Sequence, residues 1–165
     1  MQYFLLPNNN VGYTDAGGMT HCWQMGGGNS DEIAYQAWVA QGNIAAPYTP
    51  SAPTPTPAQQ AEAAIASGVT INSTSTPEVN GTYACDAAAV ADIGAETLSV
   101  IVTQQFTNGA TSIQWPLADG TLVTFPSPQV FQAWAVAVSR YVSACKQYAS
   151  GAQGAALPAS TVSIT

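Results

Sequence analysis

The chain is predicted to be α+β. A small N-terminal hairpin/helix module is followed by a Pro-rich linker and a C-terminal module of helices packed on short antiparallel strands. Three observations predict this. "SPQVFQAWAVAVSRYVSACKQYASG" carries Phe131, Trp134, Val138, Tyr141, Cys145 and Tyr148 at a 3-4-3-4-3 spacing, one continuous helical stripe. "SIQWPLADGTLVTFP" alternates apolar and polar residues around Asp119-Gly120, a hairpin pattern. From Pro47 to Pro57 the chain carries five prolines, which admit neither a helix nor a central strand.

Residues 1–43 are expected to form a docking module. "QYFLL" favours β structure, and "PNNN" turns it back onto "VGYT". Glycine-rich sequence then surrounds a short strand, "MTHCWQM". Ser30 is expected to cap the helix "SDEIAYQAWVAQGN", with Asp31 and Glu32 in the first turn, where the helix dipole favours acids. Ile33, Ala37 and Ala40 share one face, widened by Tyr35, Trp38 and Val39. Trp23, Tyr35, Trp38 and Tyr48 are candidate interface residues, since aromatic anchors carry much of the energy of protein interfaces.

Residues 44–57 read as a Pro/Thr-rich linker of polyproline-II character, a semi-rigid spacer. In the C-terminal domain, residues 58–165, Pro57 suits the start of a helix that Gly68 stops. "GVTINSTSTP" and "EVNGTYACD" read as two strands, the second bent at Asn80-Gly81. Asp86 caps a long helix running through "LSVIVTQQF" to a stop near Asn108-Gly109. In the hairpin, a three-residue loop, Ala118-Asp119-Gly120, sets Trp115 opposite Val123 and Ile113 opposite Phe125. It puts all four large groups on one face, with Gly120 supplying a left-handed bulge residue. Trp115, Phe125, Phe131, Trp134, Tyr141 and Tyr148 are the expected core of hairpin and helix. "LPASTVSIT" alternates weakly and is expected to add an edge strand to this chain or to a neighbour.

Composition narrows the function. The net charge is −7, and the only cations are Arg140 and Lys146. Nucleic-acid recognition needs several cations to displace counterions, so it is excluded. No apolar run approaches the ~20 residues of a membrane span, and no insertion is expected. The N-terminus lacks the basic residues of a signal peptide, which points to synthesis in a cytoplasm. Charged residues make up 7% of the chain, against about 25% in ordinary soluble domains. A surface so poor in charge suits a part packed beside neighbours.

No enzyme signature stands out. His21 and Cys22 are adjacent on a strand and point to opposite faces, unfit for a nucleophile–base pair. Neither a metal spacing nor a phosphate loop is present, and no cofactor is expected. Cys22, Cys85 and Cys145 read as buried thiols, with a Cys85–Cys145 disulfide as the rival in oxidising surroundings.

"MQYFLLPNNNVGY" is similar to the opening of short phage tail-fibre and fibre-assembly proteins. "AYQAWVAQGNIAAPYTP" resembles the segment that often follows there, carried here by Trp38, Gly42, Asn43, Pro47 and Tyr48. Residues 58–165 resemble a domain of unknown function found in phage tail-associated proteins. The resemblance implies a structural virion component of tail or tail fibre, made in the host cytoplasm and present in several copies among other tail proteins. It transfers no catalytic residue. The alternatives are a tail-fibre assembly chaperone absent from the mature particle, and a glycan-binding module stacking Trp23 and Trp38 on sugars. Such chaperones commonly carry more charge than this chain, which favours a part that stays.

Overall fold

The computed structural model describes residues 2–50 and 52–165. The fold is α+β and divides into two units, Met1–Pro53 and Thr54–Thr165. Ser51, inside the expected linker, lies outside the described residues.

The first unit is a four-stranded sheet with one helix. Strands β1 (Tyr3–Leu6), β2 (Asn10–Thr14), β3 (Thr20–Gln24) and β4 (Ala46–Pro47) lie in the order β3-β2-β1-β4. Asn8 and Asn9 both adopt a φ of 60° to close the first hairpin, a conformation asparagine tolerates better than most residues. Register sets Tyr3 opposite Tyr13 and Val11 opposite Trp23, so the alternating aromatics gather on one face. Phe4 and Cys22 flank Gly12 on the other face, where a Cβ on Gly12 would lie 2.7 Å from the Phe4 ring. The docking module reaches further than its expected end at residue 43. The Tyr48 N–H donates to Leu5 C=O at 2.8 Å, so Pro47 closes a parallel edge strand beside β1 instead of beginning a spacer.

Helix α1 (Ser30–Ala40) is capped by Asn29, one residue before the expected Ser30, through Glu32 N–H donating to Asn29 Oδ1 at 2.8 Å. Its inner face also differs from expectation. Ile33 and Val39 are exposed, whereas Glu32, Tyr35 and Trp38 turn inward. Two aromatic rings offer more apolar area than Ile33 with two alanines, and they decide the rotation of the helix.

The second unit follows its sequence closely. Thr56 and Gln59 form a capping box on α2 (Pro57–Ser67), which Gly68 ends. β5 (Val69–Ser73) lies between β6 (Gly81–Tyr83) and β9 (Thr161–Ile164). The tail pairs parallel with β5 of its own chain. Glu78 and Val79 are not strand; Pro77–Val79 is a 3₁₀ turn, because Pro77 fixes φ at its start and the Val79 N–H closes onto Thr76 C=O. Asp86 caps α3 (Ala87–Thr103), which ends at a left-handed Gln104, short of the expected Asn108.

β7 (Ile113–Pro116) and β8 (Leu122–Phe125) pair Trp115 with Val123 and Ile113 with Phe125, the register of the three-residue loop. Gly120 takes a φ of 85° there. Ser127 caps α4 (Pro128–Ala149). Its stripe enters the core, with Phe131, Trp134 and Cys145 at 0% exposure and Tyr141 at 3%. Tyr141 and Tyr148 bind α4 to α2 by donating to Ala64 C=O at 3.1 Å and to Gln60 Oε1 at 2.6 Å.

Candidate interaction surfaces

The four residues expected at an interface are not presented together. Trp23 is buried, and Trp23, Tyr35 and Trp38 pack around Tyr3 with ring centroids 6.1, 5.2 and 5.1 Å away. They form the core of the first unit. A module this small has few other groups with which to build one. Trp23 therefore offers no ring face to a sugar. Tyr48 differs: it rests on Phe4 with centroids 4.6 Å apart and keeps 43% of its surface in solvent.

Trp38, Gly42, Asn43, Pro47 and Tyr48 have local structural work. Asn43 Nδ2 donates to Trp38 C=O at 2.8 Å and Gly42 N–H to Val39 C=O at 2.9 Å, ending α1 and turning the chain toward β4.

Glu32 is the residue that sequence reasoning missed. It is buried, and its two carboxylate oxygens accept from Gly26 N–H at 2.8 Å and Gly28 N–H at 2.6 Å. Those bonds hold its carboxyl below the usual range. A carboxylate just after "GGG", where bare N–H groups cluster, was the available signal. Asp15 is held low in the same way, chiefly by His21 Nε2 donating to it at 3.0 Å and then by Met19 N–H. Tyr13 stacks on that histidine.

In the second unit, Trp115, Phe125, Phe131, Trp134, Tyr141 and Tyr148 all join the core. Cys85 and Cys145 are buried and free, without the bridge offered as their alternative, whereas Cys22 is an exposed thiol. Burial pushes Cys85 up to about 11 and raises Cys145 as well, so neither forms a ready nucleophile. Among the described residues, no group of three His, Cys, Asp or Glu is placed to hold a metal, and no helix is long and apolar enough to cross a membrane.

Apolar side chains of this unit are exposed together on the outer side of α3. "LSVIV" places five weakly polar or apolar residues in a row, and a helix cannot turn them all inward. Val100 takes the core position, leaving Leu98, Ile101 and Val102 at 64%, 54% and 72% exposure. Beside them a groove of about 580 Å³ runs between α3 and α4, lined by Val90, Thr97, Leu98, Ile101, Val136 and Arg140 among others.

A family model described as "Domain of unknown function (DUF4376)" matches residues 57–164. The chain belongs to this family. The DUF4376 match begins at the first residue of α2 and ends at the last residue of β9, so it spans the second unit's helices and strands from first to last. Neither a curated protein nor a solved structure matches the chain.

Proposed function

We propose that the protein is a structural component of a bacteriophage virion, associated with the tail or tail fibre, and that it acts by packing against other virion proteins. The observation that carries this is the uncovered apolar side of α3, where Leu98, Ile101 and Val102 stand in solvent on a DUF4376 domain. Contiguous exposed apolar groups of this kind mark protein contact sites. The scarcity of charged residues, 7% of the chain, supports the same role, because covering its surface desolvates few charges. The likeness of residues 1–13 and 34–50 to tail-fibre sequences directs the proposal to the tail.

Mass spectrometry of purified, intact virions tests it, with copy number measured against the major capsid protein. The expected result is a small fixed ratio. Abundance in infected-cell lysate with absence from particles would overturn it and favour a tail-fibre assembly chaperone.

A further inference from the structure

Among the described residues, strand β9 ends its sheet with one edge unpaired, and its hydrogen bonds reveal which groups are free. Thr70 N–H donates to Ser160 C=O at 2.8 Å and Thr74 N–H to Ile164 C=O at 3.3 Å. Successive residues of a strand turn their N–H and C=O to opposite edges. Ser160, Val162 and Ile164 therefore serve β5, while Thr161, Ser163 and Thr165 direct theirs outward. Natural edge strands are usually guarded by a lysine, an inward charge or a bulge. Nothing of the kind occurs in "STVSIT". Beside the strand, between it and α4, lies a groove of about 660 Å³ lined by Ala133, Val136, Ala137 and Arg140.

We propose that this edge is the docking surface for β9 of a second copy of the chain, paired antiparallel about a twofold axis at Ser163. The unpaired backbone requires an extended occupant, and the strand itself meets that requirement. With Ser163 opposite its own equivalent, Thr161 faces Thr165 of the second copy and Thr165 faces Thr161. These three pairs exchange about six main-chain hydrogen bonds. Val162 then stands across from Ile164 of the second copy, on the side turned toward the sheet's core. β-Branched neighbours of this kind stabilise antiparallel pairs.

Charge does not oppose the same occupant at this edge. Each copy carries −7, and carboxylates would oppose most approaches. No carboxylate side chain lines this groove or strand. Two three-stranded sheets become one sheet of six, and the exposed edge disappears. The pairing supplies a twofold building unit whether or not the protein is carried in a virion.

Sedimentation of the full chain over about 1–500 µM tests the proposal, alongside Ser163→Pro. Proline at 163 removes only an outward N–H and is tolerated at an edge, so the β5 ladder and the monomer's melting temperature at low concentration stay as they are. The expected result is a concentration-dependent dimer, weakened roughly thirtyfold or more by S163P as two of its bonds vanish. A second measurement does not depend on proline. In a Cys22→Ser background, a bis-maleimide spanning about 8 Å should join Ser163→Cys protomers readily. Those Cα atoms would stand about 5.5 Å apart. Thr161→Cys protomers, separated by roughly 13 Å along the strand, should join poorly. A monomer throughout that range, a dimer indifferent to S163P, or equal crosslinking at both positions would overturn the proposal.

Discussion

Leu98 and Val102 stand four residues apart on the outward side of α3, and replacing both with glutamine is the sharpest perturbation of the proposed packing surface. At 64% and 72% exposure, each leaves on the order of 100 Å² of apolar surface in water. Covering that area would contribute about 2.5 kcal/mol per side chain at 25 cal/mol per Å². Association costs consume part of such a gain, so about half, roughly 2–3 kcal/mol for the pair, should reach the binding equilibrium. That is about a hundredfold loss of affinity. The free chain should barely respond. Glutamine has a helix propensity close to leucine and better than valine, and exposed substitutions usually change stability by about 0.5 kcal/mol or less. The assay is quantitative mass spectrometry of particles produced with the double variant, paired with thermal melting of the isolated protein. Wild-type incorporation with an unchanged melting temperature would refute the assignment of this face.

Trp134 provides a control inside the core: it is fully buried, and its indole N–H has no hydrogen-bond acceptor among the described residues. Trp134→Ala should cost about 4 kcal/mol in urea unfolding. Trp134→Phe leaves a void of roughly 40 Å³, worth about 1 kcal/mol. It also removes an unsatisfied donor worth about 1–3 kcal/mol, so the variant should be between as stable as wild type and about 2 kcal/mol more stable; a phenylalanine loss matching alanine's would contradict the missing acceptor. The lowered carboxyls of Asp15 and Glu32 make the first unit acid-sensitive. Their folded values lie below the unfolded ones, so their contribution is complete above the ordinary carboxylate range and is lost as pH falls through the folded values. Melting followed by near-UV circular dichroism should be flat from neutrality to about pH 5 and decline below it, and Glu32→Gln should flatten that decline. A thiol reagent should label Cys22 alone in the native chain; rapid native labelling of Cys85 or Cys145 would conflict with their burial.

What the sequence made legible was structure written in local chemistry. Ser127-Pro128 and Asp86 each start a helix through a side-chain bond to a nearby N–H, which needs no tertiary information. The hairpin register was equally accessible, since only one loop length gathers Ile113, Trp115, Val123 and Phe125 on one face. What escaped depends on competition between distant groups. The expected face of helix α1 was broad, from Ile33 to Val39, and the part of it that turns inward was chosen by Tyr3 on β1, around which Tyr35 and Trp38 close. Glu32 looked like an ordinary first-turn acid until the glycine loop folded over it. The same limit explains the interface residues. Composition identifies rings able to anchor a contact, but the first unit has little else from which to build a core and uses three of them inside. The surplus apolar surface appears instead on α3, whose run "LSVIV" exceeds what one buried face can take. The proposed packing surface is thus read from a helix with more apolar residues than its core can use, not from the conspicuous aromatics.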